Sequence, residues 1–283
     1  MVPGQPPHAT AEVQRTLATG ELALRGRIMP ASNATFFGEA VLDDVRVSCV
    51  YKPVAGERPL WDFPSRTLAK RERAAYLVSE ALGWDVVPLT VLREGPHGLG
   101  MVQLWCEPAE AVDLDPVDLC PTGEVPDGWL HVLDATDGSG EDVALVHEDS
   151  PALRRMAVFD AVVNNADRKG GHVLAMADGH RYGVDHGVSF HVEDKLRTVL
   201  WGWAGERLDP EDRVAVASMG ERLRDPEADP ALGGAEPGLA ASLRELLDPE
   251  EVATLARRCL LLARKGRMPV PSGAWPSIPW PAF

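Results

Sequence analysis

The sequence predicts an α+β fold in two parts. An antiparallel sheet with one helix occupies residues 21–106, and a mainly helical part with one β-hairpin occupies 107–283; residues 1–20 are a tail and a short helix. Three observations carry this prediction. Residues 21–51 alternate apolar and polar with a period of two, the period of a half-buried strand. The clearest helix caps bracket residues 65–83 and several segments beyond 150. One strong turn signal, Asp178-Gly179, separates two short apolar runs.

Taken in order, residues 1–10 are polar and proline-rich, and 11–19 suit a short helix. Leu22 and Leu24 open a first strand that runs toward Ile28. Phe36–Leu42 is a second strand, and Asp43-Asp44 marks the turn into a third, whose alternation runs through Val45, Val47, Cys49 and Tyr51 and ends at Lys52-Pro53. Trp61 and Phe63 anchor the loop that follows. Ser65 or Thr67 then caps a helix that Gly83 closes. Residues 86–93 and 99–106 read as two further strands. Composition changes after Cys106: residues 107–128 are acidic and carry prolines at 108, 116, 121 and 126, and 134–142 is turn-rich. Ser150-Pro151 starts a largely apolar helix that runs toward Asn164. The hairpin His172–Met176 and Arg181–Val184 comes next, and three capped amphipathic helices follow. The last eleven residues, with three prolines and two tryptophans, read as an extended segment over the surface.

Bulk properties exclude some functions. The chain has 28 Lys and Arg against 43 Asp and Glu, a net charge of −15, and no polybasic patch. Such a surface repels nucleic acid and anionic bilayers, so neither a nucleic-acid partner nor stable membrane association is expected. Cys49, Cys106, Cys120 and Cys259 form no CxxC pair, which argues against zinc. With no charged and apolar leader and no apolar run of membrane-spanning length, reduced thiols and a cytoplasmic location are the expectation.

The chemistry concentrates in three residues. Lys52 ends a strand inside an apolar stretch. Asp167 follows a buried helix, and Asp185 follows the returning strand of the hairpin. Singly, each has an ordinary reading as a snorkelling lysine, an arginine-paired acid or a turn aspartate. Their order matches what phosphoryl transfer requires: a cation for the phosphates, oxygens for a metal, and a carboxylate near the attacking hydroxyl. Glu72, in the second turn of the first long helix, is the expected partner of Lys52, with Glu80 its rival. The loop 30–35, with Ser32, Asn33 and Thr35, is short and polar enough for phosphate-binding N–H groups or for a plain hairpin loop. Gln103, Leu104 and Trp105 would form a hinge whose extended backbone pairs with adenine, or a plain edge strand.

These motifs resemble those of the phosphatidylinositol 3- and 4-kinase superfamily, nearest its type II 4-kinase branch, related bacterial HipA-like kinases and an actinobacterial kinase-like subgroup. Asn165-Ala166-Asp167-Arg168 followed by His172-Val173-Leu174 stands where that group has its catalytic loop. Val184-Asp185-His186-Gly187-Val188-Ser189-Phe190 stands at its metal-binding loop, and Val50-Tyr51-Lys52-Pro53 at its lysine strand. The likeness covers most of residues 20–263. It implies a two-lobed protein-kinase-like fold and an ATP- and Mg²⁺-dependent kinase. Lys52 would bind the α/β-phosphates, Asp167 would orient or deprotonate the acceptor hydroxyl, and Asp185 would hold Mg²⁺. Ser32, Asn33 and Thr35 would form the phosphate loop and 103–105 the hinge. Apart from the resemblance, Arg168 and Lys169 are two cations beside Asp167 that would neutralise the acceptor or the transferred phosphate.

One position departs from that pattern. Five residues beyond the catalytic aspartate the group carries a metal-binding asparagine, and here His172 stands. Mg²⁺ prefers hard oxygen ligands, so His172 would bind a phosphate, bind a softer metal such as Mn²⁺, or leave a one-metal site. The expected acceptor is a hydroxyl on a soluble protein or small molecule rather than a lipid. AMP transfer on the same fold and a non-catalytic nucleotide-binding scaffold are the alternatives.

Overall fold

The computed structural model describes residues 10–29, 33–109, 115–225, 238–273 and 275–283. Thr10 caps the short helix α1 (Ala11–Thr19) through its side chain. A five-stranded antiparallel sheet follows, built from β1 (Glu21–Arg27), β2 (Phe36–Leu42), β3 (Val45–Pro53), β4 (Thr90–Gly95) and β5 (Gly98–Leu104) in the order β1-β2-β3-β5-β4. Strand β3 is central, paired to both β2 and β5. Its odd residues Val47, Cys49 and Tyr51 are buried in the main core. Its even residues face the other side, and Lys52 is among them. Lys52 is the cross-strand partner of Met101, which packs on Ala69 of α2 (Leu68–Leu82). A one-residue slip of register would turn Lys52 away from that helix.

Helix α2 ends as expected, with Gly83 in the left-handed conformation at φ 68°. Its start differs from expectation. Neither Ser65 nor Thr67 caps it by a side chain; the Glu57 carboxylate accepts from the N–H groups of Leu68 and Ala69 instead. A carboxylate at a helix N-terminus satisfies two orphan donors and complements the helix dipole.

The part beyond residue 106 is less helical than expected. Strands β6 (Val117–Pro121), β7 (Trp129–Thr136) and β8 (Asp142–Glu148) form a second antiparallel sheet, ordered β6-β8-β7, where the sequence suggested only turn-rich acidic loops. Strand β7 has no buried residue, so it carries no apolar alternation to read.

Helix α3 (Pro151–Val163) runs through the core, capped by the Ser150 hydroxyl and closed by Asn164 at φ 57°. The hairpin β9 (Val173–Ala175) and β10 (Arg181–Gly183) follows it. Helices α4 (Pro210–Arg224), α5 (Leu239–Arg244) and α6 (Pro249–Lys265) complete the fold. At the start of α6 the Asp248 N–H donates to the Glu251 side chain, closing a capping box. One continuous core, from Leu17 to Met268, joins the five-stranded sheet to the helices. Residues 275–283 do lie along the surface, and they pack beside the loops around Gly170 and Thr198. The Gly170 N–H donates to Ala282, and the Thr198 N–H to Ser277. No helix among the described residues is long and apolar enough to cross a membrane.

Candidate active site

Three segments far apart in sequence meet at one ammonium group. Lys52 Nζ, mostly buried at the end of β3, donates to Glu72 Oε1 at 3.0 Å and also contacts Asp185 Oδ1. Glu72 is buried, and a buried carboxylate needs hydrogen-bond partners. It has a second one: Oε2 accepts from the His186 N–H at 2.9 Å. Glu72 thus ties the strand lysine to the loop that carries Asp185. Glu80, the rival candidate, is bonded to Tyr76 instead, and burial pushes its carboxyl upward.

The position of α2 is set by the residue before Glu72. Arg71 is buried and donates to the Ser189 carbonyl and to Glu251 Oε1 of α6, each at 2.6 Å. A buried guanidinium with two charge-assisted bonds is a rigid link. It clamps α2 to the 185–190 loop and to α6 at once. In that loop Asp185 has φ 60° and the fully buried Phe190 has φ 71°. Left-handed backbone at non-glycine residues is held only where the surroundings over-determine it, and such positions gather at functional sites.

Asp167 lies one turn past α3, and its N–H donates to Asn165 Oδ1 at 3.0 Å. Its carboxyl is half-buried. Burial raises its pKa above the ordinary aspartate value, opposed by the charges of Lys169, Arg197 and Arg168. His172 joins this loop to Asp185. Its Nδ1 lies 3.0 Å from the Asp167 carbonyl, and its Nε2 lies 3.3 Å from Asp185 Oδ2. A carbonyl only accepts, so Nδ1 carries the proton in the neutral ring. Loss of water around the ring, followed by the charges of Arg168 and Lys52, holds the imidazole pKa down to about 3.

Arg168 is not available to phosphate or acceptor, contrary to the sequence-based expectation. It is completely buried, with both arms of its guanidinium on Asp160 at 2.9 and 3.0 Å. Nη1 donates to the carbonyls of His172 and Val184, and Nη2 to His186 Nε2. This one side chain therefore joins α3, the 167–172 loop and the 184–186 loop. Asp160 was not picked out from the sequence, although an acid inside the apolar run Val158–Val163 is itself a signal that a buried cation must be near.

The hinge also needs correcting. Gln103 and Leu104 belong to the inner strand β5, and the Gln103 side chain donates to Thr90. The N–H groups of Leu104 and Trp105 are taken by the carbonyls of Leu89 and Ser48. Among the described residues the backbone N–H groups of Cys106 and Glu107 have no such partner, so the open edge begins one residue beyond the predicted hinge. In the predicted phosphate loop, Ser32 lies outside the described residues. The Asn33 carboxamide accepts from the Arg58 N–H, and the buried Thr35 hydroxyl donates to the Asn33 carbonyl. Both side chains are used within the loop and its neighbour. The structure thus brings together Lys52, Glu72, Asp185, His172 and Asp167, and it does so through Arg71, Arg168 and Asp160.

No family model matches the chain. Two solved kinases resemble it weakly. The Golgi casein kinase gives a TM-score of 0.44 at 13% identity, over 90% of this chain and 74% of that one. The proinflammatory kinase CtkA of Helicobacter pylori gives 0.40 at 12% identity, over 87% and 98%. Likeness of this degree decides nothing about activity or substrate. In sequence, Protein Rv2133c of Mycobacterium tuberculosis is 53% identical over 274 residues, which cover 94% of each chain. The chain belongs to the family of this mycobacterial protein.

Proposed function

We propose that the chain is an ATP-dependent phosphotransferase that moves the γ-phosphate to a hydroxyl of a soluble protein or small-molecule acceptor. The observation that carries this reading is the Lys52 ammonium held between Glu72 of α2 and Asp185 of the loop after β10. A strand lysine fixed by a helix glutamate, beside a loop aspartate, is the arrangement that orients nucleotide phosphates in kinases. Lys52 would take the α/β-phosphates, and Glu72 would keep its ammonium pointed at them. Asp167, 36% exposed at its side chain, would orient the acceptor hydroxyl and receive its proton. A positioned general base contributes about 10²–10⁴-fold to a rate. The edge beginning at Cys106 would receive adenine.

The donor set also fits a divalent cation. Asp185 Oδ2 and His172 Nε2 face each other at 3.3 Å, and these two atoms would hold the ion. When bound, Mg²⁺ or Mn²⁺ supplies charge neutralisation on the phosphate oxygens. The soluble acceptor follows from the charge of −15, which disfavours an anionic lipid surface. Arg168 has no catalytic part in this reading and acts as a positioning residue.

The test is transfer of γ-labelled phosphate from ATP into a cell extract, with protein, lipid and small-molecule fractions counted separately and the mass of the added group measured. Asp185→Ala should lose metal-dependent thermal stabilisation by ATP. Asp167→Asn should keep that stabilisation and lose transfer. Full turnover by Asp167→Asn would remove the base from Asp167, and a mass gain of AMP would replace phosphate transfer by nucleotidyl transfer.

A further inference from the structure

We infer that His172 makes the cation site selective for a first-row transition ion over Mg²⁺, with His172 Nε2 as a direct metal ligand. The inference builds on the phosphotransferase reading for the nucleotide, but it is carried by the geometry of two side chains. His172 Nδ1 is committed as a donor to the Asp167 carbonyl at 3.0 Å. Nε2 is then the ring atom left to face Asp185 Oδ2, 3.3 Å away. A ring nitrogen lone pair and a carboxylate oxygen repel at that distance unless something positive lies between them. Two atoms each about 2.1 Å from one ion, at right angles, stand about 3.0 Å apart, so the pair reaches a shared ion with little movement.

The ring is also held as metal-ligating histidines are held. A ligand imidazole donates its other N–H to a carbonyl or carboxylate, which fixes its tautomer and its aim. Here that acceptor is the backbone of Asp167. The carbonyl of His172 itself is pinned by the buried Arg168 at 3.0 Å, so both ends of the residue are fixed. The other side of the pair is anchored as well, because Glu72 holds the His186 N–H next to Asp185.

Selectivity follows from ligand chemistry. Among the described residues no three His, Cys, Asp or Glu side chains gather around one point, so protein supplies two ligands and phosphate oxygens and water supply the rest. With an oxygen in place of His172 the set would be all hard donors and would suit Mg²⁺. An imidazole nitrogen shifts preference toward transition ions in the order Mn²⁺, Co²⁺, Zn²⁺.

Mn²⁺ is the probe. Full-length protein with a non-hydrolysable ATP analogue is titrated with Mn²⁺ by electron paramagnetic resonance, and Mg²⁺ is added as competitor. Pulsed measurements on the same sample read the coupling of Mn²⁺ to imidazole nitrogen. The wild type should bind Mn²⁺ at least about tenfold more tightly than Mg²⁺ and show nitrogen coupling. His172→Asn should lose the coupling and bring the two affinities together, while its melting temperature without metal reports its folding. Bound Mn²⁺ without nitrogen coupling in the wild type would overturn the inference, whatever the variant does. Equal Mn²⁺ and Mg²⁺ affinity in the wild type would also overturn it. Analogue binding is followed separately by thermal shift with and without metal. A protein that takes no nucleotide refutes the phosphotransferase reading, whereas one that takes nucleotide and shows no nitrogen coupling refutes only the role of His172.

Discussion

Replacing Arg168 with lysine keeps the charge and breaks the junction. The guanidinium makes five hydrogen bonds: two to Asp160, one each to the carbonyls of His172 and Val184, and one to His186 Nε2. A lysine ammonium has three donors on one nitrogen, so at least two of the five bonds are lost. The site has no solvent exposure, so water does not replace them. At about 1.5–3 kcal/mol for each lost hydrogen bond to a charged group, two lost bonds in Arg168→Lys should destabilise the fold by about 3–6 kcal/mol. Urea unfolding followed by circular dichroism reads this as a lower midpoint with an unchanged slope. The same bonds hold the 167–172 and 184–186 loops together, so metal-dependent stabilisation by ATP should weaken even below the unfolding midpoint. A loss under about 1 kcal/mol, with nucleotide response intact, would refute the claim that Arg168 is the junction and reopen a direct role for it.

Three further expectations follow from the same geometry. Burial raises the Asp167 pKa, and a general base works only when ionised, so the rate should fall as pH drops through a value above the ordinary aspartate figure of about 3.9; a pH–rate profile with its acid limb at or below that figure contradicts this. The sign for stability is opposite, because a carboxyl raised in the fold favours folding below its unfolded pKa and loses that contribution as pH rises, so Asp167→Asn should be at least as stable as wild type at pH 7 in a thermal melt. A Cβ at Gly183 would lie 2.8 Å from Arg168 Nη2, a group pinned by its bonds, so Gly183→Ala should lower stability by roughly 1–3 kcal/mol, and an unchanged melting temperature would show that Arg168 moves freely.

Much of the site was legible in the chain because it rests on local periodicities. The alternation of β3 places Lys52 on the face opposite Val47, Cys49 and Tyr51, and that assignment needs only the period of a strand. The hairpin signal at Asp178-Gly179 places Asp185 just past a returning strand, and the caps at Ser150 and Gly83 bound the two helices that matter most. Glu72 was preferred over Glu80 as the partner of Lys52, and the ion pair has that composition.

Other features depended on partners that no local pattern names. Strand β7 has no fully buried residue, so its pairing with β8 is what reveals it. The predicted hinge lost its free backbone to Leu89 and Ser48, neighbours supplied by the sheet order rather than by residues 103–105. Arg168 looked like a cation beside a catalytic acid because sequence proximity suggests shared exposure. Only the packing of α3 turns Asp160 toward it and closes both loops over it. The sequence by itself determined which side chains carry charge and on which face of each element they lie, since propensity and period act over a few residues. The tertiary structure decided which charges meet water and which meet each other, because a buried ion takes its role from the partners that replace its solvent.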